Sequence, residues 1–233
     1  MPARLKIVVA AVLALLMVSG CGPTKDAAPA SAPAALAQAD TAGPRALLMR
    51  WHQALVSGDK AQYLACFVGS EDELVLALAG LEAVQAAYAF HNAIVSTYGA
   101  DAWRAFQTSD GAQIGLFPRD TQWTRRVTVI RQGDIAFGYL PRGRVPIHMS
   151  QVDGVWRIHA GSLVPPGFEA RRAADFQFRW AAALRNLIPR VGQRQLAMER
   201  AGEEANKDLA ARIKPEDRPA AAAAVNESFL LTP

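Results

Sequence analysis

Apolar residues recur at helical spacing in the first part of the folded region. Pro44 suits the first position of a helix, and the apolar residues after it have the spacing of one helix face: Leu47, Leu48, Trp51 and Leu55. The polar run at 57–60, Ser-Gly-Asp-Lys, ends this helix. Tyr63 and Phe67 are four residues apart, and this spacing predicts a second helix.

A long third helix is predicted to begin at Ser70. Ser70 and Glu73 have the three-residue spacing of a capping box, in which each side chain binds the other residue's backbone amide. The apolar side of this helix is then marked by Leu74, Leu78, Leu81, Val84, Tyr88, His91 and Val95. Gly99 suits the helix end, and a short helix through Trp103 and Phe106 is expected after it.

The pattern changes from helical spacing to alternation after residue 120. Residues 123–140 form two β-rich runs around Gly133-Asp134, and residues 145–160 form two more around Asp153-Gly154. An Asp-Gly pair between alternating runs is a strong signal for a hairpin. Residues 112–117 are compatible with one further strand. The middle of the chain is therefore predicted to be an antiparallel meander.

The Asp153-Gly154 hairpin predicts which side chains face each other. With a two-residue loop, Val152 pairs with Val155, and His148 pairs with His159. Because side chains alternate between the two faces of a strand, one face of this hairpin carries His148, Ser150, Arg157 and His159. The other face of the hairpin is apolar and is therefore expected to pack against the core; it carries Ile147, Met149, Trp156 and Ile158. Because a structural metal site normally needs four ligands, the paired histidines are interpreted as solvated or as part of a dimer face, and no metal site is predicted.

Helical spacing returns after Pro165-Pro166. One apolar stripe contains Phe176, Trp180, Leu184 and Leu187, and Pro189 is expected to end that helix. A second, more charged helix is predicted over 193–213, and 214–233 is interpreted as a tail. Taken together, the patterns predict an α+β fold in which helices precede and follow an antiparallel sheet.

The N-terminus carries an export signal. Arg4 and Lys6 precede an apolar run at 7–18, which is too short to span a bilayer because a spanning helix needs roughly 20 residues. Val18-Ser19-Gly20-Cys21 at the end of this run resembles the bacterial lipobox. The resemblance implies that 1–20 is a signal peptide and that Cys21 is acylated in the mature protein. The alternative is an ordinary secretory signal followed by an unrelated cysteine.

The residues after Cys21 are consistent with a membrane-anchored protein. Residues 21–43 are rich in Ala, Pro and Ser and form a tether that would span roughly 25 Å as a flexible coil. Acyl chains contribute about 0.8 kcal/mol per buried methylene, so two or three of them anchor a protein stably. By resemblance to Gram-negative lipoproteins, Gly22 in place of Asp after the cysteine implies an outer-membrane location facing the periplasm.

Charge and cysteine content narrow the function classes. The chain has a formal net charge of +4, and loss of Arg4 and Lys6 with the signal leaves about +2. This balance gives no reason to expect a nucleic-acid partner. Once Cys21 is used, Cys66 is left without a second cysteine for an internal disulfide, and it is predicted to be a buried thiol. No phosphate loop, nucleophile elbow, HExxH or CxxC motif occurs, so no cofactor is predicted.

The order of these elements resembles a known family. A helix, the run at 57–60, two more helices and hairpins ending at 151–160 are similar to the NTF2-like (SnoaL-like) domain over residues 44–163. The resemblance implies helices packed on a curved antiparallel sheet that forms a cone around a cavity. The helices over 164–213 are a departure, since many members end at the last strand.

This resemblance gives two hypotheses for the function. The first is a non-catalytic domain that binds an envelope protein, a small apolar ligand or a second copy in a homodimer. The alternative is an isomerase or dehydratase in which His91, on the sheet-facing side of the long helix, is the general base. The aromatic residues that would line the cavity are Trp51, Tyr63, Tyr88 and Trp103, although residues at such spacing are usually core. A third hypothesis uses residues 168–213 as a helical interaction surface.

Overall fold

The structure is a computed structural model. It describes residues 43–108, 116, 119, 122–140, 146–164 and 167–196, and single positions at 204, 207 and 211. The predicted signal peptide, Cys21 and most of the tether lie outside the described residues. So do the tail at 214–233 and, except for Leu116, the further strand considered at 112–117.

Helices come first along the chain, then a meander of strands, and a long helix follows. In chain order the elements are α1 (Pro44–Ser57), α2 (Lys60–Leu64), β1 (Phe67–Val68), α3 (Glu71–Tyr98), α4 (Ala100–Thr108), α5 (Gln122–Arg126), β2 (Thr128–Gln132), β3 (Ile135–Tyr139), β4 (Ile147–Val152), β5 (Val155–His159), a short 3-10 helix (Ala160–Leu163) and α6 (Ala170–Gly192). The predicted α+β class is confirmed.

The five strands form one mixed sheet in the order β1-β5-β4-β3-β2. Strands β2 to β5 pair antiparallel, whereas β1 pairs parallel with β5. The prediction of an antiparallel sheet is therefore wrong at this edge. Phe67, expected in the second helix with Tyr63, lies in β1 opposite Ile158, because α2 ends at Leu64 and the Cys66 carbonyl accepts from the Ile158 amide at 2.8 Å.

Helix α3 begins as its sequence predicts. The Ser70 hydroxyl accepts from the Glu73 amide at 3.4 Å, and the Glu73 carboxylate accepts from the Ser70 amide at 2.8 Å, which completes the capping box. Gly99 follows the last residue of the helix. Two of the orphan amides of the first turn are satisfied in this way, and Glu71, Asp72 and Glu73 add negative charge at the positive end of the helix dipole.

Both hairpins have the predicted two-residue turns. Gln132 pairs with Ile135 across Gly133-Asp134, and Val152 pairs with Val155 across Asp153-Gly154. The predicted register of β4 and β5 is confirmed. The β-rich run at 123–126 is instead helix α5, whose Trp123 and Thr124 are buried. Arg45 of α1 holds this segment by donating to the carbonyls of Thr124 and Val127, each at 3.1 Å.

Helix α6 does not end at Pro189, as the sequence suggested, but continues to Gly192. Leu187 and Val191 are buried on the same stripe, so continuing the helix past the proline keeps an apolar side chain in the core. The predicted helix over 193–213 lies mostly outside the described part of the chain. Positions 204, 207 and 211 are helical, and Glu204 pairs with Arg190 at 3.2 Å.

A carboxylate on α3 joins three helices. Glu82 accepts from Lys60 of α2 at 2.6 Å and also pairs with Arg185 of α6. The hydrogen bond from Lys60, followed by the contacts with Arg185, holds the pKa of Glu82 below its ordinary value. The C-terminal helix is thus joined to the α+β body by an ion pair as well as by apolar packing.

The interior has two principal apolar clusters. The first joins α3, α4 and α6, with Phe90 and Phe106 fully buried at its centre. The second lies between α1, α2, α3 and the inner face of the sheet, where Trp51, Met149 and Ile158 are buried. Helix α3 contributes to both clusters, and Leu116 packs against both of them.

One helix in the described residues, α3, is long and apolar enough to cross a membrane. More than half of its most apolar stretch is buried inside the fold, and a core helix of a soluble domain passes the same test. Its capping box and its contacts with both clusters account for its length and composition within this fold.

Candidate functional site

His91 lies against helix α4. Its ring is half-buried and packs edge-on against Trp103 of α4, with ring centroids 4.8 Å apart. Its Nδ1 lies 3.2 Å from the Asn92 side-chain oxygen. His91 thus contacts Trp103, one of the aromatic residues predicted to line the cavity, and its role as a general base stays a prediction.

The four aromatic residues predicted to line a cavity lie in two different clusters. Trp51, Tyr63 and Tyr88 belong to the cluster beneath the sheet, whereas Trp103 belongs to the cluster of α3, α4 and α6. All four side chains are buried. Burial raises the pKa of Tyr63 and Tyr88, and for Tyr88 the guanidinium of Arg119, 4.5 Å from the ring centre, acts in the opposite direction.

The sheet face that points away from the helices has a different character. We call it the open face, and its residues alternate with the buried ones along β2 to β5: Thr128, Ile130, Gln132, Ile135, Phe137, Tyr139, His148, Ser150, Val152, Val155, Arg157 and His159. Large apolar side chains stand exposed on it, with exposed fractions of 47% for Ile130, 43% for Ile135, 37% for Tyr139 and 45% for Val155. Among the described residues, the one other large apolar side chain exposed to this degree is Met49 on α1, at 50%.

Three stacked rings cross the middle of the open face. Phe137 pairs with His148 across β3 and β4, and their ring centroids are 5.1 Å apart with planes at 12°. His148 stacks in turn on His159 of β5, at 4.2 Å and 9°. The two histidines occupy the opposed positions that the hairpin register predicts, and the sheet extends their row to Phe137.

The histidine pair is not arranged to chelate a metal. Imidazole lone pairs lie in the ring plane, so two parallel stacked rings cannot direct both onto one ion. No group of three or more potential metal ligands occurs in the part of the chain that the structure describes. His159 uses Nε2 to contact the Ser150 hydroxyl at 2.7 Å instead.

The Ser150–His159 pair resembles half of a nucleophilic site. A nucleophile of this kind also needs a group that orients the histidine and donors that stabilise an oxyanion. Within the described residues no carboxylate contacts His159, and Ser150 lies inside a strand that is paired on both sides. The neighbouring Arg157 donates to the carbonyl of Ala65. The described residues therefore supply the hydroxyl and the imidazole of such a site but no orienting carboxylate.

Burial keeps His148 uncharged over more of the pH range than a free histidine. Desolvation is the largest cause that lowers its pKa, and the neighbouring imidazole of His159 adds to it. The Nε2 atom of His148 is buried without a hydrogen-bond partner in the described part of the protein. The middle ring of the stacked row, His148, is therefore mostly uncharged at neutral pH.

This lowered pKa predicts a pH-dependent stability. The unfolded chain takes up a proton at His148 near the ordinary value of about 6.5, before the folded chain does. The free energy of unfolding should therefore fall as pH drops below about 6.5, because the unfolded chain then binds this proton more tightly than the folded chain does. His148→Gln should flatten the dependence. Urea titrations of dilute protein across this range measure it, and equal slopes for the two proteins would contradict the assignment.

Cys66, the cysteine in the described part of the chain, lies in the interior. Cys66 is buried, its thiol lies 3.3 Å from the Gln62 carbonyl, and burial raises its pKa, which disfavours the reactive thiolate. The prediction of a buried thiol is confirmed.

The apolar half of the open face was missed by sequence reasoning. The register of β4 and β5 identified His148, Ser150, Arg157 and His159, but the same alternation was not extended to β2 and β3. Counting outward from the Gly133-Asp134 turn places Ile130, Ile135 and Phe137 on the same side. That signal was present in the sequence.

No family model, curated protein or solved structure matches the chain. The features that bear on its function are the open face, the positions of the predicted residues and the N-terminal sequence.

Proposed function

We propose that this protein is a lipid-anchored, non-catalytic interaction module of the cell envelope that presents the open face to a partner. The observation that carries the proposal is the cluster of exposed apolar side chains on one sheet face, formed by Ile130, Ile135, Tyr139 and Val155. Monomeric proteins rarely expose a contiguous apolar patch of several hundred Å² unless it binds something. The stacked row of Phe137, His148 and His159 gives the patch a centre of packed rings.

The lipid anchor in this proposal comes from the sequence at Cys21. The lipobox-like residues 18–21 place the acylated cysteine directly before a tether rich in Ala, Pro and Ser. A flexible tether of roughly 25 Å holds a folded body near the membrane and lets it rotate toward a partner. We propose the periplasmic side of the outer membrane as the location, because Gly22 follows the cysteine.

We also infer that the α+β body is an NTF2-like cone. The inference is supported by the cluster that α1, α2 and α3 share with the inner face of the sheet. The two two-residue hairpins at the positions expected from the resemblance also support it. The parallel strand β1 and the long helix α6 are the features in which this chain departs from the simplest form of that fold.

The geometry favours binding over the isomerase or dehydratase alternative. A general base must reach a substrate proton, and it acts best with a tuned pKa in a site that excludes water. His91 instead lies beside Asn92 and Trp103 on the helical side of the molecule. The exposed patch is on the opposite side of the sheet.

Fatty-acid incorporation tests the anchor. Cells that express the full chain are fed an alkyne-tagged fatty acid, and the protein is then isolated and coupled to a dye. Cys21→Ala should abolish the label and release the protein from membranes, because the acceptor for the acyl chain is gone. Cys66→Ala is the matched control, since Cys66 is the second of two cysteines in the chain, and it should keep full labelling. Equal labelling of the wild-type and Cys21→Ala chains would refute the anchor.

A further inference from the structure

The chain enters the folded body beside helix α5. Gly43 and Pro44, at the start of α1, are buried. The next residue, Arg45, donates to the carbonyls of Thr124 and Val127, each at 3.1 Å. Thr124 belongs to α5, and Val127 follows that helix. Because the predicted tether ends at Gly43, the point where it joins the body lies directly beside α5.

The surface at this junction is basic and partly apolar. Arg125 and Arg126, at the end of α5, are exposed, and within the described part of the chain neither guanidinium is in an ion pair. Met49 of α1 is 50% exposed. It lies four residues after Arg45 and three before His52, which both contact α5, so Met49 lies on the same stripe of α1. We call Met49, Arg125 and Arg126 the junction surface.

Acidic side chains lie at the opposite end of the sheet. Helix α5 leads into β2, and β2 and β4 run in the same direction, so both hairpin turns lie at the end away from α5. The turns expose Asp134 and Asp153. The five residues of β2 separate the two ends by about 17 Å. An anionic surface would therefore attract the end that carries the tether and repel the end that carries the turns.

We propose that the junction surface is where the folded body contacts an anionic phospholipid membrane. The inference rests on the lipid-anchored location proposed above. Lipid phosphates would accept hydrogen bonds from the guanidinium groups of Arg125 and Arg126, and the Met49 side chain would enter the boundary between headgroups and acyl chains. The strands then point away from the membrane, and the open face is turned sideways, where an envelope partner can reach it.

Two arginines orient an attached protein but do not anchor it. One arginine near an anionic surface favours the bound state about five-fold, so the pair contributes about 25-fold. This is too little to hold an unattached protein on a membrane. A body within reach of its tether is already at a high effective concentration beside the surface. We therefore expect one preferred orientation, which is lost when salt screens the charges.

Quenching by lipid-bound nitroxide tests the orientation. The full chain with Cys21→Ala and Cys66→Ala carries an N-terminal histidine tag, so that a nickel-chelating lipid holds it on a vesicle without acylation. A fluorescent dye is attached at Met49→Cys, and the vesicles contain a nitroxide-labelled lipid. Quenching should be several-fold stronger with phosphatidylglycerol in the vesicles than with phosphatidylcholine alone, and high salt should remove the difference.

Val155→Cys is the matched control position for the dye. Val155 is 45% exposed and follows the turn at the far end of the sheet, so its dye should be quenched weakly in both kinds of vesicle. Equal quenching at Met49→Cys and Val155→Cys in the phosphatidylglycerol vesicles would overturn the proposal. So would quenching at Met49→Cys that does not increase with phosphatidylglycerol.

Matched substitutions locate the contact. Arg125→Gln with Arg126→Gln should remove most of the phosphatidylglycerol-dependent quenching at Met49→Cys. Arg171→Gln with Arg172→Gln changes the net charge equally but lies on α6, and this pair should leave the quenching unchanged. Circular dichroism checks that each variant is folded. An equal loss from the two pairs would show that only net charge matters and would refute the junction surface.

The lipid anchor and the membrane contact can fail separately. The histidine tag replaces the acyl chain in the vesicle experiment, so its result does not depend on Cys21. Fatty-acid incorporation reports the anchor alone. Vesicle quenching without orientation would therefore refute the junction surface and leave the anchor standing.

Discussion

Phe90→Ala should cost about 3–5 kcal/mol of the free energy of unfolding. Phe90 is fully buried in the cluster of α3, α4 and α6, and its ring meets the edge of Phe106 at 5.6 Å between centroids. Removing it leaves a cavity at the place where three helices meet, and helices packed on three sides cannot easily collapse into it. Since most domains are stable by about 5–15 kcal/mol, the variant should be close to unfolding at ambient temperature.

Urea titrations followed by circular dichroism measure this effect. Met49→Ala is the control, because Met49 also loses a large apolar side chain from a helix but is half exposed. It should change the free energy of unfolding by less than about 0.5 kcal/mol. A loss below about 1 kcal/mol for Phe90→Ala would show that the helical cluster is not packed as described.

Gly161→Ala should cost about 1–2 kcal/mol, because the new methyl group would meet the side chain that caps α3. A Cβ at position 161 would overlap Oε1 of Glu73 and lie 3.2 Å from its Cδ. To relieve this overlap the Glu73 carboxylate must move away from position 161, which disturbs its hydrogen bond to the Ser70 amide.

A double-mutant cycle isolates this contact. Glu73→Ala alone should cost about 1 kcal/mol through loss of the cap, and in that background Gly161→Ala should cost almost nothing, so the two effects should not add. Gly192→Ala is the control, since a Cβ there would meet nothing within 4 Å and a helical alanine is favoured over glycine by up to about 1 kcal/mol. Additive losses for Gly161→Ala and Glu73→Ala would contradict the contact.

Local signals in the sequence predicted the parts of the fold that depend on short-range chemistry. The Ser70–Glu73 capping box and the Asp153-Gly154 hairpin are each decided within a few residues. Elements decided by distant partners were missed. Phe67 joins the sheet because the edge of β5 is available to it, and α6 passes Pro189 because Val191 packs into the core. Spacing along the chain carries no information about those partners.

In the candidate site, too, short-range features were predicted and long-range contacts were missed. The opposed histidines followed from the hairpin register, and the structure adds that their rings stack on each other and on Phe137. The proposed cavity lining assumed that Trp51 and Trp103 face one space. They belong to different clusters, and helical spacing alone does not say which neighbour each side chain meets.

Protection of the open face in the native envelope tests the central claim most directly. Val155→Cys and Gly192→Cys are placed in turn in a Cys66→Ala chain, and the rate of reaction with a soluble maleimide is compared in isolated envelopes and in dilute detergent. If the open face binds a partner, Val155→Cys should react several-fold more slowly in envelopes than in detergent, whereas Gly192→Cys should react equally in both. Equal reactivity of Val155→Cys in the two conditions would show that nothing occupies the face and would contradict the proposed function.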